Sequence, residues 1–243
     1  MNRYEESKEV FNKLFGELPD ADKEIDHELM EILRRFIFGD VFHSSDEIDM
    51  KERELITVTI LAILQTIPQL TVHINAALNV GATPIEVRET IYQLAPFIGF
   101  PRTLNAVNTM NEVFKSREIK LPLENMGTVT DETRYEKGFN IQNPIYGDEI
   151  KEKYPDVPEI PKYLTEFGFG DFYTRKGLDI KTRELLVLVG LTTIRSDTQI
   201  KAHVLGNIKV GNSKEKLLAT MLQCLPYIGF PNTMNTINII KSI

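Results

Sequence analysis

The sequence predicts an all-α protein built from two tandem copies of one helical unit. Three observations predict this fold: the chain aligns with itself, its apolar residues recur at helical spacing, and helix-start signals repeat at matching places. Residues 51–108 align with residues 181–238 at an offset of 130, with 19 identities in 58 positions and no gap. No segment has a credible strand pattern, so the predicted fold contains no sheet.

The repeat covers nearly the whole chain. Upstream the offset becomes 131, so that Gly39-Asp40 aligns with Gly170-Asp171, and one residue is lost in the loop near Gly177. We predict a first unit at residues 1–120, a linker at residues 121–133 and a second unit at residues 134–243, because Pro122 and Gly127 interrupt the helical pattern between the units. Two related units in one chain are expected to pack as a pseudo-symmetric pair.

The helices of the unit are clearest in the first copy. Residues 54–65 are apolar on nearly every turn, which is typical of a buried helix; their β-branched residues would also suit a strand, and the length of the run favours the helix. A helix from Gln69 to Val80 follows, closed by Gly81. The capping box Thr83-Pro84-Ile85-Glu86 begins a helix to about Phe97. Further helices are predicted to start at Pro101, Ser213 and Pro231, with shorter ones at residues 28–38 and 159–169.

Composition excludes several classes of protein. The chain has 28 basic and 35 acidic residues, a net charge of −7, so a long nucleic-acid-binding surface is not expected. A single cysteine, Cys224, excludes an internal disulfide and a Cys-x-x-Cys pair, and its apolar helical surroundings favour inert packing. No secretory signal and no transmembrane run is visible. We therefore expect a soluble cytoplasmic protein without membrane contact.

The candidate catalytic residues are two glutamate–histidine pairs related by the duplication. His73 follows Glu54 by nineteen residues, and His203 follows Glu184 by the same interval. A carboxylate that accepts from one imidazole nitrogen fixes the tautomer and leaves the other nitrogen to transfer a proton near neutral pH. Spacing alone leaves open whether the members of a pair meet within a unit, meet across a subunit boundary, or do not meet.

A structural interpretation of the same residues competes with the catalytic one. Each glutamate follows an arginine, Arg53 or Arg183, and the two could form an ion pair at the start of a helix, with the histidine only filling a helix face. Four amides are candidate substrate-binding residues: Gln69 and Gln199 lie one turn before the histidines, and Asn105 and Asn235 lie one turn into the last helix of each unit. The histidines have no partners at metal-ligand spacing, so no metal site is predicted.

The two copies share a pattern that resembles the carboxymuconolactone decarboxylase family, within the alkyl hydroperoxidase D-like superfamily. The pattern consists of Arg-Glu-Leu, an apolar helix, a histidine, a glycine, a glutamine and an Ile-Gly-Phe-Pro turn. It is present as Arg53-Glu54-Leu55, His73, Gly81, Gln93 and Ile98-Gly99-Phe100-Pro101, and again as Arg183-Glu184-Leu185, His203, Gly211, Gln223 and Ile228-Gly229-Phe230-Pro231.

The resemblance implies an all-helical fold and a cofactor-free reaction. In the decarboxylase branch a carboxylated lactone loses carbon dioxide without metal or organic cofactor, and the proton that replaces it would come from His73 with Glu54 or from His203 with Glu184. The family assembles into trimers or hexamers, so the resemblance implies a homo-oligomer of three tandem chains. Its small-molecule partner would be a carboxylate or a lactone.

The peroxidase branch of the superfamily differs at two positions. That branch has a Cys-x-x-Cys pair between the glutamate and the histidine. Here these positions hold Thr66 and Gln69 in the first copy and Ser196 and Gln199 in the second. Hydroxyl and amide groups cannot form a disulfide, so we expect no thiol peroxidase activity.

Two functions remain open on the sequence. The first is a lyase or isomerase that acts on a small carboxylated lactone or related acid by proton transfer. The second is a non-catalytic helical oligomeric module that binds a small ligand or a partner. If only one unit binds an acid, the basic residues Arg195 and Lys201 near His203 favour the second unit, since Gln65 and Thr71 hold the aligned positions in the first.

Overall fold

The computed structural model describes residues 2–17 and 25–243, and this part of the chain is helical, without a strand. The predicted all-α class is confirmed. The first half contains α1 (Arg3–Phe15), α2 (His27–Arg34), α3 (Met50–Leu64), α4 (Ile67–Asn79), α5 (Pro84–Tyr92), α6 (Ala95–Ile98) and α7 (Phe100–Ser116). The second half contains α8 (Arg134–Tyr146), α9 (Ile150–Lys153), α10 (Glu159–Tyr163), α11 (Ile180–Ile194), α12 (Asp197–Val210) and α13 (Lys214–Ser242).

The order of helices in the first half recurs in the second. α1 corresponds to α8, α2 to α10, α3 to α11 and α4 to α12, and α13 spans the positions of α5, α6 and α7. A π-helical segment precedes the buried helix in both halves, at Arg35–Val41 and at Leu164–Tyr173. The segments predicted as short helices, residues 28–38 and 159–169, are therefore each an α-helical turn or two that continues as a π-helix.

Side-chain caps fix where the main helices begin. Asp49 and Glu52 form a capping box that starts α3, and Thr83 and Glu86 form the predicted one that starts α5. The helix expected to reach Phe97 is broken instead, because α5 ends at Tyr92 and α6 begins at Ala95. Gly99 and Gly229 both have φ 77°, a left-handed backbone that favours glycine, and each turns the chain into the last helix.

Helices α3 and α11 form the centre of the molecule and pack against each other. Residues 53–63 of α3 and residues 183–193 of α11 are buried without interruption, which explains why both helices are apolar on every face. One apolar core includes side chains of both halves. A smaller cluster joins α1, the first π-helical segment and α4, through residues such as Leu14, Phe38 and Ala76.

The two halves are also joined by polar contacts at matching positions. Arg53 donates to Gln223 at 3.0 Å, and Arg183 donates to Gln93 at 3.5 Å, so each half contributes a buried arginine to a glutamine of the other. Within the described ranges, no helix is long and apolar enough to cross a membrane.

Candidate active site

Both glutamate–histidine pairs form within their own unit. His73 Nδ1 lies 2.8 Å from Glu54 Oε2, and His203 Nδ1 lies 3.1 Å from Glu184 Oε2. α3 and α4, like α11 and α12, are joined by two residues and pack against each other, which brings the glutamate of one helix to the histidine of the next. The geometry answers the question that spacing left open: no subunit boundary is needed to bring the two side chains together.

Burial differs between the two members of each pair. The side chains of Glu54 and Glu184 are 0% exposed, whereas those of His73 and His203 are 11% and 13% exposed. Each imidazole uses Nδ1 on the carboxylate, and no hydrogen bond of Nε2 is present in the described part of the chain. A buried carboxylate that holds Nδ1 while Nε2 stays accessible is the arrangement that acid–base catalysis by histidine requires.

The competing interpretation, an ion pair between each glutamate and the preceding arginine, is wrong. Arg53 donates to the carbonyl oxygens of Val41 and Ser45 and to Gln223, not to Glu54. Successive residues of a helix point about 100° apart, so the arginine faces the other half while the glutamate faces its histidine.

Arg183 likewise bonds to the first half, and it meets a buried acid there. Glu89 is 0% exposed and accepts from Arg175 at 2.8 Å and 2.9 Å and from Arg183 at 3.3 Å, with Arg88 beside it. Burial alone would raise the pKa of Glu89, but the hydrogen bond and charge of Arg175, with the charges of Arg183 and Arg88, outweigh burial and lower that pKa.

Two tyrosines surround the carboxylate of the second pair. Tyr146 donates to Glu184 Oε2 and lies 2.6 Å from His203 Nδ1, and Tyr173 donates to Glu184 Oε1 at 2.7 Å. Burial, followed by the charge of Glu184, raises the pKa of both phenols well above the ordinary value, so both stay protonated and remain donors. Both oxygens of Glu184 are therefore occupied by groups of its own unit.

The first pair has phenylalanines at these positions. Phe15 aligns with Tyr146 and Phe42 with Tyr173, and Phe15 packs edge-on against His73 with ring centroids 5.4 Å apart. As a result Glu54 Oε2 contacts His73, while Glu54 Oε1 is buried without a hydrogen-bond partner.

The other half contributes one aromatic ring to each pair, and again the two sites differ. Tyr227 packs edge-on against His73 with centroids 5.8 Å apart, and its aligned residue Phe97 packs against His203 at 6.1 Å. The hydroxyl of Tyr227 is buried and forms no hydrogen bond. Burial, and then the charge of Glu54, raises the pKa of this phenol and outweighs the opposing effect of the Thr57 hydroxyl, so the phenol stays protonated and can donate.

The four predicted substrate-binding amides lie elsewhere. Gln69, Gln199, Asn105 and Asn235 are all exposed. Asn105 donates to Gln65, Asn235 donates to Asp197, and Gln199 accepts from Ser196. None of the hydrogen bonds of these four described residues joins them to a glutamate–histidine pair. Their role in substrate binding stays a prediction.

The tyrosines are the site residues that the sequence analysis missed. A signal existed, because the alignment of the two halves places Phe15 against Tyr146, Phe42 against Tyr173 and Phe97 against Tyr227. Each of these replacements changes only a hydroxyl group, so it looks neutral until the structure shows that all of the hydroxyls lie at the two buried carboxylates.

The remaining candidates for chemistry have simple environments. Cys224 is buried, and burial raises the pKa of its thiol above the ordinary value, which disfavours the reactive thiolate. Among residues 2–17 and 25–243, no group of three or more histidine, cysteine or acidic side chains is arranged to hold a metal ion.

The fold and the paired contacts define a class of protein: an all-helical tandem chain with one candidate acid–base pair per unit. The family model of the carboxymuconolactone decarboxylase family matches residues 27–112 and again residues 158–242. The chain belongs to the carboxymuconolactone decarboxylase family and contains its domain twice.

Individual relatives resemble one unit at a time. The chain is 27% identical over 108 residues to 4-carboxymuconolactone decarboxylase of Acinetobacter baylyi, a match that covers 42% of this chain and 81% of that protein. It is 27% identical over 96 residues to nitrosuccinic acid decarboxylase of Metarhizium robertsii, which covers 38% of this chain and 66% of that protein.

One solved structure is similar to almost the whole chain. A Burkholderia xenovorans protein assigned as a gamma-carboxymuconolactone decarboxylase subunit superposes with a TM-score of 0.59 at 18% identity, over 98% of this chain and 91% of its own. At this identity the likeness concerns the fold alone.

Proposed function

We propose that this protein is a cofactor-independent carboxy-lyase that acts on a small carboxylated lactone or a related acid. The observation that carries the proposal is the hydrogen bond between a buried glutamate and a partly exposed histidine in each half. Membership in the family and the names of two relatives, both decarboxylases of small acids, support the reaction type.

The pair supplies the proton that decarboxylation consumes. As the bond between the substrate carbon and its carboxylate breaks, carbon dioxide leaves and the electron pair passes into the conjugated carbonyl system. Nε2 of a protonated imidazole then gives its proton to carbon, and the neutral imidazole recovers a proton from solvent. The glutamate on Nδ1 stabilises the imidazolium and holds the ring in place.

Thiol chemistry is not part of the proposal. The positions that would carry a Cys-x-x-Cys pair hold Thr66 and Gln69 in the first unit and Ser196 and Gln199 in the second, and Cys224 is buried. A peroxidase that works by thiol–disulfide exchange needs an accessible thiolate and a second thiol to resolve it.

The proposed function is tested by steady-state decarboxylation of 4-carboxymuconolactone, followed as release of carbon dioxide. We expect turnover by the wild type and a loss of about 10²–10⁴-fold in kcat when the acting histidine is replaced by alanine, the usual contribution of general acid–base catalysis. His73→Ala, His203→Ala and the double variant are compared, with His43→Ala as the control. Full turnover by the double variant would contradict the proposal.

A second candidate is the non-catalytic oligomeric module, which a different observation favours. Phe100 and its aligned residue Phe230 are 54% and 60% exposed, and the aligned residues Leu104 and Met234 are 55% and 54% exposed. Large apolar side chains exposed at the same positions in both units are typical of a contact surface. This module would bind a small acid or lactone saturably without converting it.

The same surface supports a homo-oligomer, for which we propose three tandem chains. A duplicated chain presents two equivalent contact surfaces, and equivalent surfaces close into a symmetric ring. The soluble cytoplasmic location and the absence of nucleic-acid and membrane partners remain expectations from composition.

A further inference from the structure

The first glutamate–histidine pair contains two buried polar atoms that are not satisfied by the protein. Glu54 Oε1 has no hydrogen-bond partner, and the hydroxyl of Tyr227 has none in good geometry, although the Thr57 hydroxyl lies close enough to lower the pKa of this phenol. Leaving a donor and an acceptor buried and unpaired is costly, and native proteins keep such atoms mainly where a ligand or a reacting group completes them. The two atoms lie around one imidazole, since Tyr227 packs on His73 and Glu54 bonds to it.

The second pair shows the opposite condition. Glu184 accepts from Tyr173 at one oxygen and from Tyr146 at the other, so its carboxylate is complete without a ligand. Its charge is shared with two phenols, and His203 Nδ1 lies closer to the Tyr146 oxygen than to Glu184, which leaves less of that charge to stabilise a protonated His203. Phe97, at the position of Tyr227, has no hydroxyl to offer a ligand.

We propose that the first pair is the reacting site and that Tyr227, supplied by the second unit, donates a hydrogen bond to the substrate oxygen on which negative charge develops. This inference rests on the proposed carboxy-lyase function. It adds a catalytic residue and selects Glu54–His73 over Glu184–His203, against the preference for the second unit that Arg195 and Lys201 suggested from sequence; both of those side chains are exposed.

The chemistry of decarboxylation explains why such a donor is needed. When carbon dioxide leaves, the electron pair becomes an enolate whose oxygen carries the charge until carbon is protonated. A neutral donor placed in advance beside that oxygen stabilises the charge without reorganisation. Tyr227 meets this condition because burial and the charge of Glu54 keep the phenol protonated. His73 then gives the proton to carbon.

The substrate class follows from these two groups. The ligand carries a carbonyl oxygen conjugated to the carbon that loses its carboxylate, so that this oxygen can accept from Tyr227. Its remaining carboxylate lies away from Glu54, because two buried like charges repel. An unsaturated lactone with two carboxylates or a β-keto diacid satisfies both conditions.

The test is Tyr227→Phe, which removes one hydroxyl and reproduces the residue of the second unit. We expect kcat for the lactone to fall about 10²–10³-fold, the usual loss for one oxyanion donor, with a smaller change in KM. The midpoint of thermal unfolding is expected to change little, since the hydroxyl forms no well-aligned hydrogen bond within the protein. Tyr163→Phe, at an exposed phenol, serves as the control for turnover.

Tyr146→Phe supplies the comparison at the second pair. A loss of kcat for Tyr146→Phe as large as that for Tyr227→Phe, or an unchanged kcat for Tyr227→Phe, would overturn the inference while the lyase function stands. A binding measurement tests the site if the wild type does not turn over the lactone. Tetronate, a stable lactone enolate, is titrated calorimetrically into the wild type and Tyr227→Phe: weaker binding by the variant supports the site even without turnover, and equal or absent binding together with no turnover refutes it.

Discussion

One pair of aligned small residues, Gly206 and Ala76, matches a difference between the two sites. A Cβ atom built on Gly206 would lie 2.6 Å from the hydroxyl of Tyr146 and 3.1 Å from Glu184 Oε2, which leaves no room for a methyl group. The aligned residue in the first unit is Ala76, and the aligned ring is Phe15, which lacks the hydroxyl. Glycine with tyrosine and alanine with phenylalanine are therefore matched combinations, and each unit carries one of them.

This match predicts a measurable coupling between Gly206 and Tyr146. Gly206→Ala is expected to lower the free energy of unfolding by about 1–3 kcal/mol, the usual cost of overpacking. In the Tyr146→Phe background the same substitution is expected to cost less, because the first-unit combination is restored. A denaturant double-mutant cycle measures the coupling. Additive effects of the two substitutions would show that the methyl group and the hydroxyl do not compete for space.

Individual residues also explain what the sequence analysis predicted of the site. Glu54, His73, Glu184 and His203 were found because the duplication repeats their type and spacing. Their contact was not predictable, since it depends on the length of the turn between two helices. The four amides were predicted from their positions on the helices. The position of a side chain on a helix does not specify which neighbouring residue it contacts.

At the scale of elements, the contact between α5 and α11 contains a buried acid with three arginines. Glu89 in α5 bonds to Arg183 in α11 and to Arg175, which lies before α11. The second unit has Ala219 at the position of Glu89, and the first has Ser44 at the position of Arg175, so the matching side lacks this acid. There Arg53 bonds to Gln223, and Glu52 forms a partly exposed ion pair with Lys216. The acid buried between the units therefore lies on one side only.

This arrangement predicts a dependence of stability on pH. The pKa of Glu89 is lowered in the folded protein, so its contribution is complete above the ordinary value of 4.5 and is lost as the pH falls through the lower folded pKa. Glu89→Gln is expected to cost about 3–5 kcal/mol at neutral pH, as for a broken buried ion pair. It is also expected to flatten the loss of stability on acidification.

Urea unfolding of the wild type and Glu89→Gln, at neutral pH and below pH 4.5, measures both effects. The matched control is Glu112→Gln, which removes the carboxylate of an exposed pair with Lys115. An equally steep acid dependence in wild type and Glu89→Gln would show that other groups control it.

The boundaries of the elements were predicted unevenly. The capped start at Thr83 was predicted correctly, because a capping box is a local signal. α1 and α8 and the two π-helical segments were missed, since i→i+5 bonding leaves no distinct spacing in the sequence. The two units break at the same place, since the backbone is non-helical at Gly229 within α13 as it is at Gly99, and the first unit has one further interruption between Tyr92 and Ala95.

At the scale of the whole molecule, the repeated exposed surface predicts association. The sedimentation-equilibrium mass is expected to be three times the chain mass of 27.8 kDa. Phe230→Asp is expected to lower that mass, because it puts a charge into the proposed apolar contact. Tyr163→Asp, at a phenol that is also more than half exposed, is the control. A wild-type mass equal to one chain at micromolar concentration would contradict the ring.

The sequence by itself determined the tandem helical fold and selected the four candidate acid–base residues, because repetition and helical spacing are local properties that survive in a linear pattern. Only the tertiary structure decided which groups complete each carboxylate. Tyr227 contacts the first pair from the other half. Tyr146 and Tyr173 contact the second pair from its own half, 38 and 11 residues before Glu184 in the sequence. The packing of α13 against α3, and of α8 against α12 and the second π-helical segment, brings these tyrosines to the pairs, and packing depends on contacts between residues far apart in the chain.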